Sequence, residues 1–282
     1  MAANGHPASN PMNVIDTRVA TDSPLLSERT GNIVVATLNR PAARNALSEE
    51  IIAALTDIVG SIAADKTVAA LVIAARGPAF CAGHDLKQLT ARRSDADGGR
   101  AYFRHIMTSS AAMMQAMVSL PKPVIACVQG MASAAGCQLV ATCDLAVAAE
   151  RAAFATPGVD IGLFCSTPMV ALSRNVPAKN AMEMLLTGEP VSARRAEAIG
   201  LINRVVADGS ELEAALDLAR KVGSKSSRIV GIGKAAFYRQ REMALADAYA
   251  YAAEVMTENM MLQESNEGIC AFLEKRDPAW PD

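Results

Sequence analysis

QGMASAAGCQLVATCDLAVAAERAAFATPGVD, from Gln129 to Asp160, is the stretch on which the reading of this chain turns. The residues before and into it, PVIACVQG from Pro123 to Gly130, have the composition of a buried strand. They lead into Ala132, Ser133, Ala134, Ala135 and Gly136, where a helix is expected to begin. Small side chains at a strand-to-helix junction let a ligand approach the main chain. The free N–H groups of a helix's first turn favour negative charge. Together these features specify half of an oxyanion hole. The same residues would also serve simply to pack a helix tightly on its neighbours.

A second segment strengthens the first of these readings. GPAFCAGHDLK, Gly77 to Lys87, follows the apolar strand AALVIA at 69–74 and supplies another small-residue turn after a strand. With RPAARNAL at 40–47, LLTGEPVSARRAEAIGLINRVV at 185–206 and FLEKRDPAW at 272–280, the chain resembles the crotonase family, the enoyl-CoA hydratase/isomerase superfamily, from about Ile33 to Trp280. GCQLVATCDLAVA at 136–148 and ATPGVDIGLFCSTP at 155–168 resemble its domain-containing protein 3 subgroup. The resemblance implies an α/β fold, the ClpP-like β-β-α superhelical spiral, with a C-terminal helical region used for trimerisation. The expected division is a flexible leader over 1–25, a spiral core over 26–206 and a helical region over 207–282.

The resemblance also assigns roles. Crotonase chemistry gathers negative charge on a thioester oxygen, and two backbone N–H groups stabilise it, here those of His84 and Ala135. One such donor is worth about 3 kcal/mol in the transition state. Because the donors are main-chain groups, the His84 imidazole need not act. Family hydratases add two glutamates, and their positions here hold Gln138 and Gly158. An amide does not exchange protons near neutrality, and glycine has no side chain, so the general acid and base of hydration are missing. Asp160 is the nearest carboxylate in sequence and the candidate substitute, although a loop or cap role is the simpler reading. Asp144 reads as a structural carboxylate, and Asp85 as a support for the His84 turn. For coenzyme A, the family pattern points to Arg44, Ala46, Ala82, His84, Lys87, Phe272 and Lys275, the last two placed to reach it across a subunit boundary.

Composition sets the outer limits. The 282 residues are 51% hydrophobic but only 4% aromatic, which describes an aliphatic, alanine-rich core. A net charge of −2 gives no reason to expect nucleic acid or an anionic membrane surface. Six cysteines without a CxxC pair read as reduced core thiols of an intracellular protein. The polar opening residues resemble neither a signal peptide nor a good transit peptide, so a cytoplasmic location is expected. No apolar run approaches a membrane span, and no residue spacing suits a metal. The partners expected are acyl-CoA molecules and further copies of the chain, as homotrimers or hexamers.

In chain order, the patterns predict a hairpin over Leu26–Asn39, a helix capped by Ser48, and a strand over Val68–Ala74. Thr90–Arg100 reads as a mobile loop, and Ala101–Leu120 as a helix whose methionines fill the core. A strand follows at Leu145–Ala149, and the chain reads as wholly helical after Pro177. Three functions remain open: a crotonase-type enzyme on acyl-CoA thioesters, nominally a hydratase but equally an isomerase, decarboxylase or thioesterase; a non-catalytic acyl-CoA-binding protein; and a trimeric scaffold with a closed pocket. Ala134 and Ala135, standing where the family has glycines, favour closure, since a positive φ is costly there.

Overall fold

The structure, a computed structural model, describes residues 23–281, so most of the leader expected over residues 1–25 lies outside the described residues. Strands β1 (Leu25–Thr30) and β2 (Ile33–Leu38) form the expected antiparallel hairpin around Gly31, whose φ of +61° suits the turn. Helix α1 (Glu49–Ala64) begins at Ser48, whose hydroxyl accepts the Ile51 N–H at 3.4 Å. Next come β3 (Ala70–Ala75), β4 (Ala79–Cys81), α2 (Leu86–Ala91) and α3 (Arg100–Ser119). The middle of the chain gives β5 (Val124–Val128), β6 (Met131–Ser133), α4 (Ala135–Thr142), β7 (Leu145–Ala149) and β8 (Ala153–Ala155). After these come α5 (Pro168–Asn175), α6 (Ala178–Thr187), β9 (Val191–Ser192), α7 (Ala193–Ala198) and β10 (Arg204–Val206). The chain ends in α8 (Glu211–Gly223), α9 (Ser227–Gln240), α10 (Leu245–Met260) and α11 (Gln263–Glu274).

Two sheets result. The larger has the order β1-β2-β3-β5-β7-β10, parallel except for the hairpin, and the smaller the order β4-β6-β8-β9. Each of β3, β5 and β7 passes directly into a short strand of the smaller sheet before the chain turns helical, which is a strand-strand-helix spiral.

Both faces of the larger sheet are covered, as parallel sheets require. Alternate residues divide between two cores. Val34, Ala36, Leu38, Leu71, Ile73, Val124 and Ala126 face a cluster that includes Ile51 and Leu55 of α1 and Met113 and Met117 of α3. Their neighbours Ile33, Val35, Ala70, Val72, Ile125 and Cys127 pack with Ala215, Leu218 and Ala219 of α8. The methionine stripe of α3 is therefore core, as expected.

Several expectations change. The stretch 90–100 is not simply a loop: α2 and a 3-10 turn at Arg92–Ser94 run through its first half. Asp85 explains this, because its Oδ1 accepts the N–H groups of Lys87 at 3.1 Å and Gln88 at 3.3 Å and so caps α2. Ala132 and Ser133 belong to β6, and the helix begins only at Ala135. The region after Pro177 is not wholly helical, since β9 and β10 lie within it and each closes an edge of a sheet. These strands have two and three residues, too few to display a period of two. Helix α5 lies before Pro177, outside the stretch expected to be helical.

Five of the six cysteines are buried and Cys270 is half-buried; all are free thiols. Burial pushes the Cys81, Cys127 and Cys137 thiols from 9.0 up to about 12. Between those values the unfolded chain releases protons that the folded chain retains. The contribution of these thiols is therefore undiminished below pH 9.0 and falls as pH rises toward 12, by up to roughly 1 kcal/mol per pH unit per thiol. Urea midpoints measured at about pH 8 and about pH 10 should show this fall. Replacing the three cysteines with alanine should make the fall shallower, leaving the part due to Cys143 and Cys165, whose thiols burial also pushes up.

Candidate active site

The site grows from a turn. Asn45 is fully buried, and its Nδ2 donates to the carbonyls of Arg76 and Ala79, each at 2.8 Å, while its Oδ1 accepts the Arg40 N–H at 2.8 Å. This amide pins the 40–47 turn to the ends of β3 and β4. Arg44 and Asn45 both take positive φ, 50° and 53°. The turn in turn holds the chain beyond β4. The Ala82 N–H donates to the Arg44 carbonyl at 3.0 Å, Leu47 N–H to the Gly83 carbonyl at 2.7 Å, and Asp85 N–H to the Leu47 carbonyl at 3.2 Å. Leu47 thus bonds to the groups on either side of His84, as in a parallel bridge. The His84 N–H consequently faces away from Leu47, on the side where β6 and α4 lie. Arg40 fixes the end of this segment through a 3.0 Å ion pair with Asp85.

The second corner meets it there. Gly83, at φ +95°, stands so close that a Cβ on it would lie 3.0 Å from the Ala134 Cβ and 3.5 Å from the Ala135 nitrogen. Gly136 is tighter still, since a Cβ there would lie 2.2 Å from the Cys81 carbonyl oxygen. The small residues read from the sequence are thus required by main-chain contact between α4 and β4. Ala135 opens α4, and its N–H is among those without an acceptor inside the helix. The structure therefore brings the two expected amide donors to one corner.

Ala134 carries the strain. Its φ of 49° and ψ of −115° are almost exclusive to glycine. Its N–H donates to the Ala155 carbonyl at 2.9 Å and its carbonyl accepts the Gln138 N–H at 3.0 Å, so β8 and α4 hold it on both sides. Of the two alanines, only Ala134 needs the unfavourable φ. Ala135 is helical.

Polar side chains around this corner are buried and unpaired among the described residues: both ring nitrogens of His84, Oε1 of Gln138 and Oγ1 of Thr156. Burial lowers the His84 pKa below 6.5, with the Leu47 carbonyl acting weakly in the opposite sense, so the ring is neutral at pH 7. Gln138 is 5% exposed and lies in the wall of a cavity of about 460 Å³ between α3, α4, α5 and α9. Gln138 is the one expected site residue that lines it.

The space beside Gly158, the second position at which the resemblance leads one to expect a glutamate, is filled. A Cβ on Gly158 would lie 3.0 Å from the Cys165 sulfur and 3.0 Å from the Leu163 carbonyl oxygen. Leu163 N–H also donates to the Gly158 carbonyl at 2.9 Å, so the 162–165 loop folds back over this residue. Asp160 is exposed, with Oδ2 near Gly188 at the end of α6, and the structure does not bring it to the cavity.

The residues expected to hold coenzyme A divide. Arg44, Ala82 and Lys87 are exposed along one edge, Ala46 is buried there, and its carbonyl accepts from Arg40 Nη1 at 3.2 Å. Phe272 and Lys275 stand at the end of α11, which packs on α10 and, at Gly268, under the Trp280 ring. Reading the sequence missed Arg174, Asn175, Tyr238 and Arg241 in the cavity wall. The signal available was Thr167-Pro168, a proline suited to the first turn of a helix, which marks the start of α5.

A strand-strand-helix spiral that holds two main-chain amides at one corner defines the crotonase class of fold. The chain belongs to the enoyl-CoA hydratase/isomerase family, whose model matches residues 28–282. Human enoyl-CoA hydratase domain-containing protein 3, mitochondrial, is 45% identical over 243 residues, covering 86% of this chain and 78% of that protein. The crystal structure of the human protein aligns with a TM-score of 0.87 at 43% identity, covering 91% of this chain and 100% of that one. An enoyl-CoA hydratase structure from Mycobacterium smegmatis aligns with a TM-score of 0.86 at 50% identity, covering 91% and 98%. The human, rat, mouse and Xenopus laevis relatives are mitochondrial by name, which contradicts the cytoplasmic location expected from the sequence. The composition of the opening residues and the reduced thiols do not determine the compartment. Among the described residues no helix is long and apolar enough to cross a membrane.

Replacing Ala134 with glycine should stabilise the protein, against the usual effect of glycine. Relief of roughly 1–3 kcal/mol of strain exceeds glycine's entropic cost of about 0.5–1 kcal/mol. Thermal unfolding of Ala134→Gly should show a raised midpoint. A lowered midpoint would mean that the corner is unstrained.

Proposed function

We propose that this protein binds acyl-CoA thioesters, places the thioester oxygen between the His84 and Ala135 amides, and does not carry out ordinary enoyl-CoA hydration. The observation that supports this reading is the meeting of two amide corners beside a site with no carboxylate in either glutamate position. The two N–H groups favour an enolate or tetrahedral oxyanion over the neutral carbonyl. Hydration also requires groups that give and take the protons of water, and Gln138 and Gly158 supply neither. Isomerisation and decarboxylation pass through an enolate and thioester hydrolysis through a tetrahedral oxyanion, and none of them needs that pair of glutamates.

Arg44 and Lys87 are suited to the nucleotide end of coenzyme A, with Ala46 and Ala82 as small neighbours, and Phe272 and Lys275 to the same ligand across a subunit boundary. Coenzyme A is here substrate or ligand, not a resident cofactor. The C-terminal helices support assembly into trimers or hexamers, because Leu245, Met261, Phe272 and Leu273 are each at least 73% exposed in the isolated chain. A second reading, binding without catalysis, draws on the 162–165 loop over Gly158, which occupies the place of a proton-transfer group.

Mass spectrometry of saturated and 2-enoyl CoA thioesters incubated with the protein in heavy water separates the possibilities. Deuterium uptake at the α-carbon, or hydrolysis, is expected without addition of water across the double bond. Addition of water would refute the proposal, whereas an unchanged but retained thioester would leave the binding reading. The variant Gln138→Glu with Gly158→Glu should not recover hydration. Gly158→Glu alone should lower stability by about 1–3 kcal/mol through overpacking against Cys165, measurable by denaturant unfolding.

A further inference from the structure

The cavity beside Gln138 has two chemically different ends. Gln138 lies one turn along α4 from Ala135, on the same helix face, so a thioester held at the Ala135 amide directs its acyl chain past Gln138 into the cavity. Met114, Val118, Ala141 and Ala171 give that path apolar walls. About 10 Å along from Ala135, at the end of α4, the wall becomes polar at Thr142, Arg174, Asn175, Tyr238, Arg241 and Glu242.

Most of the donors at that end are already engaged. Thr142 Oγ1 donates to the Gln138 carbonyl at 2.8 Å, and Asn175 Nδ2 donates to the carbonyls of Ala141 at 2.8 Å and Ala171 at 2.9 Å. The Tyr238 hydroxyl donates to Asp144 at 2.9 Å. Arg174 pairs with Glu242 at 3.4 Å. Arg241 differs. One of its nitrogens donates to the Arg174 carbonyl, its guanidinium carbon lies 5.5 Å from the Phe237 ring centre, and among the described residues no carboxylate pairs with it. A guanidinium has five N–H donors in a planar fork, so Arg241 retains donors for a ligand.

We propose that this cavity accepts the acyl chain of a dicarboxylic acid's CoA monothioester and that Arg241 binds its distal carboxylate. The inference rests on the acyl-CoA reading above and names the substrate class of that same site. An alkyl chain of equal length would leave its methyl end against a charged group. A terminal carboxylate would pair with it, through hydrogen bonds stronger than those between neutral groups.

Calorimetric titration with matched saturated thioesters tests this: hexanoyl-CoA against adipyl-CoA, and octanoyl-CoA against suberyl-CoA. One dicarboxyl thioester should bind about tenfold more tightly than its monocarboxyl counterpart, the factor expected of one charge-assisted contact. Arg241→Met should abolish the difference while leaving monocarboxyl binding unchanged or stronger, and Arg241→Lys should restore part of it. Equal affinities in both pairs, or a preference that survives Arg241→Met, would overturn the assignment while leaving the acyl-CoA reading intact. Failure of all four thioesters to bind would overturn both.

Discussion

The contact on which the site depends is the approach of the first turn of α4 to the end of β4, where the Gly136 α-carbon meets the Cys81 carbonyl. No side chain, even a methyl group, fits between them. The approach aligns β4 with β6, brings Gly83 against Ala134, and presents the Ala135 N–H beside the segment carrying His84. Asn45 does the corresponding work from the opposite side: one buried amide ties the 40–47 turn to the ends of β3 and β4 with two hydrogen bonds and closes the turn on Arg40 with a third. The corner is consequently set by main-chain packing. Its cost is concentrated at Ala134, where a non-glycine residue is held in glycine's territory by bonds to β8 and α4.

Charge is placed elsewhere. At the far end of α4, Asp144 accepts from the Val124 N–H at 2.7 Å, from Lys234 at 2.7 Å and from Tyr238 at 2.9 Å. Lys234 also donates to the carbonyls of Met117 and Lys122, at 2.9 and 3.0 Å. Burial pulls the Lys234 pKa down, and Asp144 opposes that shift. An isolated buried charge would be costly, and this set is fully bonded. It fastens α9 to the sheet, α3 and α4, and so holds the Tyr238 wall of the cavity. The carboxylate expected to be structural is structural in this sense, whereas the polar groups at the corner itself, Gln138, Thr156 and His84, are uncharged.

Much of this was legible in the sequence where a local rule has one outcome. The hairpin around Gly31, the Ser48 cap, the alternating strand faces and the small residues before α4 each follow from one steric or hydrogen-bonding requirement. The sequence did not reveal features decided by distant partners. β9 and β10 are too short to carry a period and are strands because β8 and β7 lie beside them. α2 depends on Asp85, a residue whose other oxygen is engaged by Arg40. The loop over Gly158 could be seen only once Cys165 and Leu163 were placed on it. The cavity wall combines α3, α4, α5 and α9, segments separated by as much as the stretch from Ala111 to Glu242.

Resemblance and chemistry separate for a physical reason. An oxyanion hole built from backbone amides depends on where the chain runs, so any sequence that preserves the Gly136 and Gly83 contacts preserves the donors, whatever its side chains. Proton transfer depends on side chains projecting from that frame, and on the proposed reading Gln138 and Gly158, in the expected glutamate positions, supply none. At Gly158 the departure from the expected glutamate goes further than an ordinary substitution, because the 162–165 loop occupies the space in which a Cβ would begin. Restoring a carboxylate there would require the loop to move as well, so the two changes are coupled. Family membership in this chain therefore speaks to the main-chain frame; on the proposed reading that frame stabilises a thioester anion, and the identity of the reaction depends on the few neutral groups around it.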